Sequence, residues 1–158
     1  MRVELLNLHQ DELPKLANWH YQEWHNLYPE KTAADFALDL QESLQQGFVP
    51  STWVLVDNGK VVGSTSLLEQ DMSANTDLTP WIANVFIEPG HRGRGLGKVI
   101  IKEVMRQAKL NGLSRLYLFT EDQMAFYQNL GWQIIRQHDY NGAAVSVMSI
   151  ELNTLTGN

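Results

Sequence analysis

Trp81-Ile-Ala-Asn-Val-Phe-Ile87 runs through Glu88-Pro89-Gly90-His91 into Arg92-Gly-Arg-Gly-Leu-Gly97, and from Leu96 the pattern changes character. The first seven residues are nearly all apolar, as in a strand buried on both faces. Glu88-Pro89-Gly90 ends that strand, because the residue before a proline avoids helical geometry and proline offers no amide hydrogen. Beyond it, Leu96, Ile100, Val104 and Ala108 share one helical face, with Lys98, Lys102, Arg106 and Lys109 on the other, which predicts a helix over 96–110 closed by Asn111-Gly112. The turn between strand and helix holds Gly90, Gly93, Gly95 and Gly97. Glycine accepts positive φ and lets a ligand approach the backbone. The unpaired amides and dipole of a helix start favour an anion, and Arg92 and Arg94 add charge beside them. These features predict a phosphate or pyrophosphate site.

Two rival phosphate motifs fail on residues. A P-loop requires Gly-x-x-x-x-Gly-Lys-[Ser/Thr], yet Val99 follows Lys98 and Arg92 stands where the first glycine belongs. A dinucleotide fingerprint requires Gly-x-Gly-x-x-Gly with an acidic residue about 20 positions later. Here the third glycine comes one position early, and the later region reads Arg115-Leu-Tyr-Leu118.

Outward from the turn, Val3–Leu8 reads as a first strand and residues 11–27 as a helix that Pro29 cannot continue. A second helix is expected from Thr32, an N-cap, to Gln46, stopped by Gly47. Trp53–Val56 and Lys60–Leu68 flank Asn58-Gly59, and Trp132–Tyr140 and Ala143–Leu152 flank Asn141-Gly142; both are hairpin signals. Residues 70–80 read as a polar loop, Leu116–Phe119 as a short strand and Asp122–Leu130 as a short helix before Gly131. The alternation describes a mixed α/β fold, and residues 1–158 read as one domain, with no repeat or linker to divide them.

Composition narrows the chemistry. The chain has 158 residues, 44% of them hydrophobic and 19% charged, and no cysteine. Disulfides, thiolate metal sites and a cysteine nucleophile are therefore excluded. Twelve basic against eighteen acidic residues leave a net charge of −6, which argues against nucleic acid as a partner and suits a cationic substrate. Histidines at 9, 20, 25, 91 and 138 have no metal-ligand spacing, so no metal is expected. No apolar run approaches the roughly 20 residues of a membrane helix, and the Met-Arg-Val-Glu start lacks a signal core. A cytoplasmic protein without membrane or nucleic-acid partners is the expectation.

Arg92-x-x-Gly95-x-Gly97 resembles the [Gln/Arg]-x-x-Gly-x-[Gly/Ala] signature of the GNAT superfamily of N-acetyltransferases. Phe126-Tyr127-Gln-Asn-Leu-Gly131-Trp132 is similar to that superfamily's downstream Tyr-x-x-Leu-Gly-Phe element, and the element order also matches. Pro80–Pro89 and Leu116–Gln123 further resemble a widespread bacterial subgroup. The resemblance implies a central, mostly antiparallel sheet flanked by helices, with strands 81–87 and 116–119 splayed around acetyl-CoA. It implies that Val85, Phe86 and Ile87 face pantetheine or the thioester, and that the turn Arg92, Gly93, Arg94, Gly95, Leu96, Gly97 and Lys98 holds the pyrophosphate. It also implies that Tyr127 is the general acid that protonates the leaving thiolate, while the polar Asn84 inside the apolar strand needs a partner.

Many members of the superfamily carry a glutamate on the strand corresponding to 81–87, and this strand has none. Glu69, Asp71, Glu121 and Asp122 are the base candidates from neighbouring segments, directly or through water, and positioning of an already neutral amine is the alternative. The acceptor, a small-molecule or peptide amine, is expected between helices 11–46 and the last hairpin. Trp19, His20, Trp24, His25 and Tyr28 crowd one helix there, with Trp24 continuing the Leu13 and Ala17 stripe of the core. The implied activity is direct acetyl transfer from acetyl-CoA to a primary amine. A catalytically silent acyl-CoA-binding module is the alternative, and a monomer or a homodimer is compatible with either.

Overall fold

The computed structural model describes residues 1–154, so the end of the 1–158 domain lies outside the described residues. The chain builds β1 (Arg2–Leu5), α1 (Leu13–Trp24), α2 (Ala33–Glu42), β2 (Ser51–Asp57), β3 (Lys60–Leu68) and β4 (Trp81–Ile87). It continues with α3 (Leu96–Leu110), β5 (Arg115–Thr120), α4 (Met124–Asn129), β6 (Gln133–Tyr140) and β7 (Ala143–Glu151). Among the described residues, seven strands form one sheet in the order β1-β2-β3-β4-β5-β7-β6. Neighbours run antiparallel except β4 and β5, which are parallel and meet through a single registered pair, Trp81 with Tyr117.

Strand alternation puts the two helical layers on opposite faces. Leu55 and Val62 point one way and pack with Ile100, Ile101, Val104 and Met105 of α3. Their neighbours Val54, Val56 and Val61 point the other way, onto Leu13, Leu16 and Ala17 of α1 and Leu40 of α2. Fully burying one such aliphatic side chain stabilises by roughly 1.5–3 kcal/mol, so α3 is anchored by packing rather than by its helix propensity. Both Asn-Gly turns have two successive positive φ angles, 52° and 77° at Asn58-Gly59 and 48° and 89° at Asn141-Gly142. That is the type I′ geometry whose twist matches the strands it joins.

β2, β5, α4, β6 and β7 differ from the sequence reading by a residue or two at an end, and β1, α1 and α2 differ by more. β1 stops at Leu5 because the chain coils into a 3-10 segment that carries Leu6 into the core and leaves Leu8 exposed. α1 is confined to 13–24, with 3-10 turns on either side taking up the rest of 11–27. α2 begins after the Thr32 N-cap as expected, with Asp35 completing a capping box, but ends at Glu42. There the Ser43 hydroxyl turns back to donate to the Leu40 carbonyl at 2.6 Å.

Candidate active site

Because β4 and β5 share only one pair, at Trp81 and Tyr117, they separate toward Ile87 and Thr120. The later part of β4 is hydrogen-bonded to β3 on one side and presents a free edge on the other. A groove of about 650 Å³ opens there. It is lined by β4 from Ile82 to Ile87, by Leu118–Gln123, by Arg92 and Gly97, and by Phe126 and Tyr127 of α4.

The β4 edge is bent by a bulge. Ser64 faces Phe86 and Ser66 faces Ala83, so Asn84 and Val85 together oppose Thr65. Asn84 takes φ 56°, a conformation that costs most residues but that asparagine tolerates. Side chains of β3 hold it there. The Ser64 hydroxyl donates to the Asn84 carbonyl at 2.9 Å, Thr65 donates to the Ala83 carbonyl at 3.3 Å, and Asn84 Nδ2 donates to Ser66 Oγ at 3.2 Å. Ser66 in turn meets Thr52 at 2.9 Å, which donates to Ser43 at 2.8 Å. Asn84 thus has its partner, in a buried hydroxyl chain running from the bulge to the end of α2. Ser64's hydroxyl proton is used on Asn84, so His20 Nε2, 2.9 Å away, carries the hydrogen toward Ser64. Burial lowers the His20 pKa to about 3, and the ring is neutral at physiological pH.

The glycine turn predicted to bind an anion has the backbone geometry such a site needs. Gly93 has φ 80° and Gly95 φ 75°, while Arg94 between them is not left-handed. Such alternation makes amide N–H groups converge into a concave nest, here continued by the free first amides of α3. A Cβ at Gly93 or Gly95 would meet nothing within 4 Å, so conformation and not space demands glycine there. Gly97 lines the groove, where a Cβ would sit 3.8 Å from Phe126 and 4.0 Å from Ile87. Arg92 donates from Nε to the Ile87 carbonyl at 2.8 Å and lies 5.2 Å from the centre of the Phe86 ring. Arg94 pairs with Asp57 at 3.5 Å, and Lys98 is exposed. Leu96 buries its side chain in the core, leaving its amide as the group it can offer. The free edge, the amide nest and the long groove fit the pantetheine and pyrophosphate of coenzyme A.

Tyr127 sits on α4 with its ring buried against Phe126 and Trp132, centroids 5.1 and 6.0 Å away. Burial raises its pKa well above that of an ordinary tyrosine, which keeps the hydroxyl protonated.

A second cavity, of about 770 Å³, lies between the α1–α2 connection, α2, the end of β3 and the last hairpin. Glu30, Asp39, Glu42, Glu69 and Asp71 line it, with Lys31 as the basic residue. Tyr28 and Asp71 border both cavities. The α1 aromatics divide between roles. His20 is buried and Trp19 stacks on Phe86 at 5.0 Å, but Trp24, expected in the core stripe, is half-buried and lines the groove. The buried stripe is Leu13, Leu16, Ala17 and His20. Sequence reasoning reached Asp71 as one of four candidates but missed its pairing with Tyr28, 43 residues away. Among the described residues there is no acidic or histidine cluster able to hold a metal, and no helix long and apolar enough to cross a membrane.

Comparison with known proteins identifies the fold and the family. The family model described as Acetyltransferase (GNAT) family matches residues 13–132. Glucosamine 6-phosphate N-acetyltransferase of Trypanosoma brucei brucei is 29% identical over 89 residues, 55% of this chain and 60% of that protein. The chain spans smaller shares, 23% and 21%, of two soybean relatives. Among solved structures, ribosomal-protein-alanine N-acetyltransferase from Brucella melitensis superposes with a TM-score of 0.75 at 16% identity, covering 96% of this chain and 99% of that one. An aminoglycoside 6′-N-acetyltransferase complexed with coenzyme A gives 0.73 at 14% identity, covering 96% and 97%. At such identities the structures share the fold, whereas the family match rests on the sequence itself over most of its length. The chain belongs to the GNAT acetyltransferase family.

Proposed function

We propose that the chain transfers the acetyl group of acetyl-CoA to a primary amine by direct attack within a ternary complex. The observation that carries this reading is the groove between β4 and β5, which has a free strand edge, an amide nest and a buried tyrosine on one lining. Acetyl-CoA brings the acyl group as a thioester. The free edge of β4, bent at Asn84–Val85, orients it by backbone hydrogen bonds in the manner of an added strand. The amides from Gly93 to Lys98, with the Arg92 and Arg94 guanidiniums, hold the pyrophosphate. Tyr127 keeps a proton at the groove for the departing thiolate, a role suited to a hydroxyl whose burial holds it neutral.

The acceptor is a small-molecule or peptide amine entering from the acid-lined cavity, whose charge favours a cation. A chain lacking any carboxylate on β4 also suits a silent acyl-CoA-binding module, and one assay separates the two readings. Acetyl-CoA is incubated with 1,4-diaminobutane, spermidine, kanamycin and an alanine-initiated peptide while free thiol is followed. Amine-dependent thiol release is expected. Binding of acetyl-CoA with no release for any of these amines establishes the silent module instead.

A further inference from the structure

Resting on the transferase reading, we propose that Asp71 takes the proton from the attacking amine, at the opening where the acid-lined cavity meets the acetyl-CoA groove. Among the described residues it is the one carboxylate that borders both cavities. Glu23, Glu121 and Asp122 line the groove alone and are exposed, while Glu30, Asp39, Glu42 and Glu69 line the second cavity alone. Asp39 is already engaged with the Lys31 ammonium.

Asp71 is half-buried and held in place. The Tyr28 hydroxyl lies 2.8 Å from the Asp71 carbonyl and 3.1 Å from Oδ1, so its single proton is shared between two acceptors of one residue. Tyr28 is itself fixed by edge-to-face contacts with Phe36 at 6.1 Å and Tyr140 at 6.4 Å, and by the Lys31 ammonium 5.0 Å from its ring centre. No hydrogen bond among the described residues uses Asp71 Oδ2, which leaves an acceptor for an incoming N–H. Tyr28 is a positioning residue in this arrangement.

The groups around the carboxyl set its proton affinity. Tyr28 and Lys31 face it from the α1–α2 connection, Asp39 and Glu42 from α2, Glu69 from beyond β3 and Tyr140 from β6. Burial pushes the Asp71 pKa up to about 7, helped by Asp39 and opposed by the Tyr28 hydrogen bond and by Lys31. A base of that strength is half ionised at neutral pH and matches its task.

The step balances. The amine lone pair forms the N–C bond to the acetyl carbonyl carbon while nitrogen gives one proton to Asp71. The C–S bond breaks with its electron pair on sulfur, which takes the Tyr127 proton. Protons then re-equilibrate so that amine and thioester become amide and thiol.

Asp71→Asn tests this, because the amide keeps the shape and an acceptor for Tyr28 but takes no proton. Thiol release with the acceptor found in the amine screen should fall on the order of 10²–10⁴-fold. Acetyl-CoA affinity, measured by calorimetry without any amine, should be unchanged. In the native protein kcat/KM should rise with pH through an apparent pKa near 7, and that limb should vanish in the variant. Tyr28→Phe removes a hydrogen bond that lowers the Asp71 pKa, so its limb should move to higher pH, a shift that loss of packing would not produce. An Asp71→Asn protein with native turnover and an intact limb overturns the assignment alone. Should that variant fail to fold, an unmoved limb in Tyr28→Phe overturns it equally. Native protein that binds acetyl-CoA but acetylates no amine of the panel overturns the transferase reading and this assignment with it.

Discussion

The two cavities that meet at Tyr28 and Asp71 are built from different materials. The groove between β4 and β5 is largely a backbone object: a free strand edge, a bulge at Asn84 and a left-handed turn at Gly93 and Gly95. The acid-lined cavity is a side-chain object, assembled from the α1–α2 connection, α2, the segment after β3 and the last hairpin. On the proposed reading, coenzyme A, the same in every reaction, is met mainly by main-chain groups, which a substitution reaches through backbone geometry rather than by removing a contact atom. On the same reading, the acceptor, which varies between enzymes of a family, is met by side chains on connections, where substitutions leave the sheet intact. The cofactor half of the site and the acceptor half should therefore respond to mutation in separable ways.

The largest effect is expected at Tyr127, on the backbone-built side. Tyr127→Phe keeps the ring that packs on Trp132 and removes the hydroxyl, so turnover should fall on the order of 10²–10⁴-fold while acetyl-CoA affinity and melting temperature hold. Native turnover in this variant would make Tyr127 a packing residue only. Next comes the nest. Gly97→Val places a branched side chain between Phe126 and Ile87, inside the groove, and Gly95→Val opposes a φ of 75°. Each should weaken acetyl-CoA binding by about tenfold or more, and shrink the rise in melting temperature that the ligand gives the native protein. Unchanged affinity in both variants would remove the nest from the site.

The proton balance of the two halves should also differ, with opposite signs. His20, behind the bulge, is neutral in the folded state with its pKa lowered to about 3, against 6.5 when unfolded. Below pH 6.5 the unfolded chain takes up a proton there that the folded chain refuses, so stability is lost as pH falls, by about 2 kcal/mol at pH 5. Asp71, with its pKa raised to about 7 from 3.8, binds its proton more tightly when folded. Its contribution is lost as pH rises from about 4 to 7. Thermal melts of His20→Gln and Asp71→Asn against the native protein read the two directly. The histidine variant should lose the acid-side decline. The aspartate variant should exceed the native melting temperature above pH 7 and converge with it near pH 4. Parallel curves would contradict both burial arguments.

The smallest effect belongs to long-range charge. The net charge of −6 and the acidic cavity should draw a cationic acceptor, so kcat/KM should fall several-fold between low and physiological salt while acetyl-CoA binding is less affected. Insensitivity to salt would point to an acceptor without net positive charge.

What the sequence by itself determined is the part of the molecule governed by neighbours in the chain. The apolar run of Trp81–Ile87, the 3.6-residue spacing of Leu96–Leu110 and the two Asn-Gly turns each specify an element through local periodicity or local φ, and these bounds agree with the structure. The glycine turn was legible for the same reason: Gly93 and Gly95 carry positive φ that few other residues accept. What only the tertiary structure decided depends on pairs far apart in the chain. Tyr28 reaches Asp71 across 43 residues, His20 reaches Ser64 across 44, and Asn141 donates to the Leu27 carbonyl across 114. The divergence of β4 from β5 after one pair, and the place of Trp24 on the groove instead of in the core, are likewise set by how distant segments pack together. A carboxylate in a loop reads alike whether it is solvated or walled in. Its environment is set by side chains from distant segments, and no local pattern encodes which of them fold against it.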